Sequence, residues 1–239
     1  MHAGILIIGS LFWDTKKRNR ISWRESNLEM NRAILVKAPI YYGRKSSSRG
    51  NTFTMTFFCS PTESEEGSAI LVPCKTPIND TDSLLKEAHS LWRAESPHSK
   101  PGSINASWGT VGILFSEQVP DNIRIEWSNQ RHETVSPVIN GELNIPRPAK
   151  KSDGLDISMD FILATATKSE EKIPKAVEIA KAWIENGYED YFFNNVKHGI
   201  RTYEDIRIWN KIKESNPDWL QKKEYSEAIE ILSRDSKII

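Results

Sequence analysis

Ile5-Leu6-Ile7-Ile8-Gly9-Ser10-Leu11 is the stretch on which the architecture turns. Consecutive aliphatic residues, three of them β-branched, read as a buried strand. Gly9-Ser10 marks the turn where that strand ends. A glycine there lets the backbone approach a ligand with no Cβ in the way, and successive free amides at a strand end form a concavity that favours negative charge. The same residues also fit a strand closed by an ordinary glycine turn. The choice between the two rests on what else in the chain points at the turn.

A helix pattern over Thr81–Glu95 supplies the second element. Thr81 or Asp82 is available as N-cap, and Leu84, Leu85, Ala88, Leu91 and Trp92 fall on one face. Pro97 then stops the helix. At about 100° per residue, Glu95 lies on the line of Leu84, Ala88 and Leu91. The spacing therefore turns a carboxylate towards the core, where it is placed to act as a general base. The plainer alternative is a frayed helix end, with Glu95 reaching water or neutralised by Arg93 or another cation.

Between these elements come the strand-like Val36–Gly43, the polar loop Arg44–Asn51, the strand-like Thr52–Phe58 and a return strand over Gly67–Val72. This order, closing on Leu91-Trp92-Arg93-Ala94-Glu95, resembles the gamma-glutamyl cyclotransferase-like family over residues 4 to 116. Members of that family carry a Tyr-Gly-Ser-(Asn)-Leu type turn and a glutamate in a Leu-Asp-x-x-Glu type helix end. The turn corresponds to Gly9, Ser10 and Leu11, and the glutamate to Glu95. Ile8 stands where the family has tyrosine, and Trp92 where it has aspartate. The resemblance implies an α+β fold with a mixed β-sheet or small barrel and flanking helices. It also implies a metal-independent enzyme without cofactors that releases 5-oxoproline from a γ-glutamyl amine or related small acyl compound, with Glu95 as base.

The whole chain sets wider bounds. With 239 residues it can bury a proper core, and 38% hydrophobic with 27% charged residues is an ordinary globular composition. Lys+Arg and Asp+Glu both number 32, so no global field favours nucleic acid or an anionic membrane. The basic run Lys16-Lys17-Arg18-Asn19-Arg20 reads as a solvated loop. No stretch approaches the roughly 20 apolar residues of a membrane helix. No basic region precedes Ile5 and no small-residue cleavage site follows it, which argues against a targeting segment. Cys59 and Cys74 have neither CxxC spacing nor a matching histidine cluster, so the expectation is no disulfide, no zinc and a cytoplasmic setting. Phosphate-loop, dinucleotide and Gly-x-Ser-x-Gly signatures are absent.

Later segments continue the β body with Ala106–Phe115, a helix over Pro120–Gln130, a hairpin and loop over Pro137–Asp153, and a final strand Ser158–Thr167. Beyond it the pattern is helical. Pro174 opens a helix that Asn186-Gly187 ends, and two more span Tyr203–Glu214 and Pro217–Ser233. The organisation expected is an α+β domain over residues 1–168 with a C-terminal helical extension, 169–239, packed on it.

Three further groups bear on function. In the donor-rich Arg44–Asn51, Arg44 or Arg49 could clamp a substrate carboxylate while Ser48 and its neighbours add hydrogen bonds. Asn194–Thr202 mixes His198 with donors, although a lone histidine between helices is more often structural. Among the eight tryptophans, Trp92 and Trp108 read as core or as lining for an apolar leaving group. The leading expectation is the cyclotransferase-like enzyme acting on a small-molecule substrate, its oligomeric state left open. Two alternatives stand beside it: a non-catalytic module that binds a small anion or metabolite, and a protein-interaction role for the C-terminal helices.

Overall fold

The expected strand at Ile5 is β1 (Ala3–Ile7), all five residues buried, in the interior of a mixed sheet. In the computed structural model, residues 1–58, 66–130, 132–133, 135–154 and 157–237 are described; Cys59 lies outside them. β1 pairs antiparallel with β5 (Gly67–Pro73), Ile5 opposite Val72. On its other side it pairs parallel with β10 (Phe161–Thr167), Ile5 opposite Leu163. A strand flanked on both sides and covered on both faces needs an unbroken apolar run rather than alternation, which is what Ile5 to Ile8 provide.

The sheet order is β2 (Ile34–Ala38), β5, β1, β10, β7 (Gly109–Phe115), β9 (Glu142–Leu143), β8 (Val138–Ile139), with β6 (Asn105–Ala106) also on β7. This path has two ends, so the sheet is open and the small-barrel alternative is corrected. At one end of the path the break falls at Pro39. It lacks an N–H for the ladder, and the chain leaves the sheet there, splitting the strand expected over Val36–Gly43 into β2 and β3 (Ile40–Ser46). β3 pairs with β4 (Thr52–Phe57) in a separate hairpin. The outer edge of β2 is covered instead by residues 149–151, through Lys37 N–H to Ala149 O (2.9 Å) and Lys151 N–H to Leu35 O (3.0 Å).

Helix α2 spans Thr81–Glu95 as expected, but its cap is Asp80. The Asp80 carboxylate accepts from Ser83 N–H at 2.8 Å and Ser83 Oγ accepts from Asp80 N–H at 3.1 Å. Leu84, Ala88, Leu91 and Trp92 are fully buried, while Leu85 is half-buried. α3 (Asp121–Ser128), α4 (Ala176–Asn186) and α6 (Asp205–Ser215) fall within or near their expected ranges, and Gly187 closes α4 at φ 64°. The helix expected from Pro217 starts later, as α7 (Ser226–Asp235), behind two 3₁₀ turns.

Two helices were not expected. α1 (Arg18–Asn27) occupies what reads as a solvated basic loop, and α5 (Glu189–Lys197) follows α4 directly. The C-terminal helices share one core with the sheet. Trp183 of α4 stands edge-on to Tyr42, with centroids 4.8 Å apart, and its Nε1–H donates to Phe53 O at 3.1 Å. The β3–β4 hairpin is thereby held between the end of β10, where Thr56 Oγ1 donates to Thr167 O (2.8 Å), and helices α4 and α5. No helix among the described residues is long and apolar enough to cross a membrane.

Candidate active site

Beyond β1 the chain coils at once. Phe12 N–H donates to Gly9 O (3.0 Å) and Asp14 N–H to Ser10 O (2.9 Å). The amides of Ser10 and Leu11 lie at the open start of this coil and meet no acceptor among the described residues. Two arginines of α1, one turn apart on the face shared with Trp23, fasten the coil. Arg24 donates to Leu11 O (2.6 Å) and Asp14 O (2.8 Å), and burial pulls its guanidinium below its ordinary pKa.

Arg20 is the hub. Its guanidinium, 4% exposed, gives Nη1 to Ser10 Oγ (2.7 Å) and Asp14 Oδ2 (3.0 Å), Nη2 to Glu95 Oε2 (2.9 Å) and Nε to Ala94 O (3.4 Å). One planar fork thus ties the turn after β1 to the C-terminus of α2, a geometry that arginine's fixed donors suit. The Glu95 side chain is 19% exposed, and its Oε1 receives no hydrogen bond among the described residues. Its surroundings differ from the expected apolar stripe: a cation from α1 meets it, so the carboxylate is both charge-compensated and fixed in direction.

Gly9, Ser10, Leu11 and Glu95 line one cleft of ≈ 1340 Å³. Arg44 and Arg49 line it too, brought in by β3 and the 3₁₀ turn after it. Arg49 Nη2 donates to Ser10 Oγ (2.9 Å), and its guanidinium lies 4.7 Å over the Tyr191 ring. Arg44 is half-buried with its guanidinium 4.8 Å over Trp108, itself stacked on Trp92 at 4.8 Å. No carboxylate pairs with Arg44 among the described residues. Burial draws its pKa down, with Glu95 and Tyr191 pulling it back up. An unpaired, partly desolvated guanidinium in a cleft suits an anionic ligand. The Ser48 side chain lies outside the described residues.

The reason for glycine at position 9 also changes. A Cβ there would sit 2.7 Å from the Tyr191 hydroxyl oxygen, so the space is filled by α5 rather than left for a ligand. Trp108, one of the two tryptophans read as core or as pocket lining, does line the cleft, whereas Arg20, Asp14 and Tyr191 are site residues that the sequence does not single out. For Arg20 a signal existed: Arg20, Trp23 and Arg24 share a helical face.

Other candidates fall elsewhere. His198 packs edge-on against Phe12 (5.5 Å), and its Nδ1 lies 2.7 Å from Asn194 O, away from the cleft lining. Glu87, buried on α2, accepts from Asn27 Nδ2 at 3.2 Å, and burial pushes its carboxyl up; it does not line the cleft. No group of three or more His, Cys, Asp and Glu placed to hold a metal occurs among the described residues. Compared with family models, curated proteins and solved structures, the chain matches none.

Proposed function

We propose that the protein is a gamma-glutamyl cyclotransferase-like enzyme that releases 5-oxoproline from a γ-glutamyl amine or a related small acyl compound. The observation that carries this reading is the Arg20 fork, which holds Glu95 and Ser10 on one guanidinium beside the Ser10 and Leu11 backbone amides, unbonded among the described residues. In the proposed reaction Glu95 removes a proton from the α-amine of the γ-glutamyl group. The amine nitrogen then bonds to the γ-carbonyl carbon, and the Ser10 and Leu11 amides meet the oxygen as it becomes negative. Collapse breaks the bond to the leaving amine, which takes the proton from Glu95. Nucleophile and electrophile belong to one molecule, so the enzyme's work is conformation, charge stabilisation and proton transfer. No water is consumed.

Arg44 or Arg49 holds the substrate carboxylate in this scheme. Arg44→Lys keeps the charge and loses the fork. A charge-assisted hydrogen bond contributes about 1.5–3 kcal/mol, so KM is expected to rise roughly tenfold or more with kcat less affected. An unchanged KM in both Arg44→Lys and Arg49→Lys would assign the loop to surface. The free, half-buried Cys74 fits a cytoplasmic setting, where thiols stay reduced.

The test of the reaction is to incubate purified protein with a panel of γ-glutamyl amines and γ-glutamyl amino acids and assay 5-oxoproline. Release from at least one supports the enzyme. A second reading, a binding module for a small anion, is favoured by the Glu95–Arg20 ion pair together with Ile8 and Trp92 at the family's tyrosine and aspartate positions. A panel member bound and returned unchanged would select it.

A further inference from the structure

We infer that the Tyr191 hydroxyl is a third donor to the acyl oxygen, alongside the Ser10 and Leu11 amides, so that the C-terminal helices complete the active site; this rests on the reaction proposed above. Tyr191 comes from α5, well outside the stretch that resembles the cyclotransferase family, yet its side chain lines the cleft and is 4% exposed. Its hydroxyl oxygen lies 2.7 Å from where a Cβ on Gly9 would be, which puts it directly against the turn that carries the Ser10 and Leu11 amides.

The hydrogen-bond inventory of that hydroxyl leaves one capacity unused. The oxygen accepts from Met55 N–H at 3.1 Å. The Asn195 side chain, whose Oδ1 also accepts from Trp13 Nε1 at 2.7 Å, interacts with the same hydroxyl and draws its pKa down, the direction of a donor to the phenolic oxygen, and no hydrogen bond donated by the phenolic proton occurs among the described residues. A phenol accepts and donates, so the proton remains for an oxygen at the turn. Burial raises the phenol's pKa, which keeps that proton in place at neutral pH. The Arg49 guanidinium over the ring, 4.7 Å from its centroid, supplies positive charge beside any negative charge the hydroxyl shares.

The site lacks an aromatic hydroxyl at position 8, where isoleucine stands. Tyr191 brings one to the neighbouring residue from the opposite end of the chain. α5 is fixed to do so: Lys16 pairs with Asp190 at 3.1 Å, Trp13 bonds Asn195, and the Trp13 and Tyr191 rings lie 6.2 Å apart. The donor sits on a packed helix rather than a loop, as a preorganised oxyanion site requires.

Tyr191→Phe in the full-length protein tests the inference, assayed by 5-oxoproline release from the best member of the γ-glutamyl panel. Loss of one oxyanion donor lowers kcat by about 10²- to 10³-fold, and KM should change little. Activity within about twofold of wild type, or a loss confined to KM, overturns the role. Should the phenylalanine variant fold poorly because Met55 N–H loses its partner, 3,5-difluorotyrosine at position 191 keeps the shape and acidifies the phenol. The alkaline limb of kcat against pH should then move to lower pH, and an unmoved limb overturns the inference. If wild type releases 5-oxoproline from no panel member, the reaction itself fails and the donor role goes with it. Failure of the inference alone looks different, as an active wild type matched by its variants.

Discussion

Glu95→Gln is expected to lower kcat for 5-oxoproline release by about 10²- to 10⁴-fold, the range a positioned general base contributes. The amide has the size of the carboxylate, and its carbonyl oxygen can still accept from Arg20 Nη2, now 2.9 Å from Glu95 Oε2. Arg20 also keeps Asp14 as a counter-ion at 3.0 Å. The variant should therefore fold, and substrate affinity should largely survive, because the lost property is proton acceptance. Glu87 does not line the cleft, and the other carboxylates that do, Glu170, Glu171 and Glu178, make no bond to Arg20 or Ser10 among the described residues, so none shares the position of Glu95 at the turn. Steady-state kinetics with a direct binding measurement separate the two effects. Full activity in Glu95→Gln would make Glu95 a structural partner of Arg20 and would end the mechanism.

The sequence announced some of this arrangement and concealed the rest for identifiable reasons. Ile5–Ile7 and Thr81–Glu95 are legible because their burial is apolar: an unbroken aliphatic run can hide on both faces of a sheet, and an i, i+4, i+7 stripe packs against one. Glu95 stood out because it interrupts that stripe, and the structure does put it at the cleft with Gly9, Ser10 and Leu11. α1 was not legible, because the side chains it buries include Arg20 and Arg24, and hydropathy reads arginine as solvent-facing. Their burial depends on oxygen atoms of the Ser10–Asp14 coil and of Ala94 and Glu95, partners that only the folded chain brings within reach. Tyr191 was concealed by distance, 182 residues beyond the Gly9 whose identity it dictates (191 − 9). Pro39 was visible in the sequence, but the missing N–H shows only that a ladder bond is lost; that the chain moves to a second hairpin there is a tertiary outcome.

Arg20→Met is expected to destabilise the fold by about 3–5 kcal/mol, the usual consequence of removing one partner of a buried ion pair. Methionine fills much of the apolar volume of the arginine stem, so the loss is chiefly electrostatic. Asp14, whose side chain is 9% exposed, would keep Lys16 N–H at 2.9 Å but lose its cation, and Ser10 Oγ would retain Arg49 alone at 2.9 Å. Against a typical domain stability of about 5–15 kcal/mol, this is a large fraction, visible as a lower chemical-denaturation midpoint at unchanged slope. Arg20→Lys should recover little, because an ammonium on a flexible stem cannot span Ser10, Asp14 and Glu95 at once. The electrostatic origin is open to a direct check: Arg20→Met strands both Asp14 and Glu95, and Asp14→Asn in that background removes the more buried of the two charges and should restore part of the loss, a coupling between neighbours. An unfolding free energy for Arg20→Met within about 0.5 kcal/mol of wild type, the range of an inconsequential surface change, would show that the turn after β1 is held by Arg24 and backbone bonds instead. The site's dependence on α1 would then have to be rebuilt from Arg24.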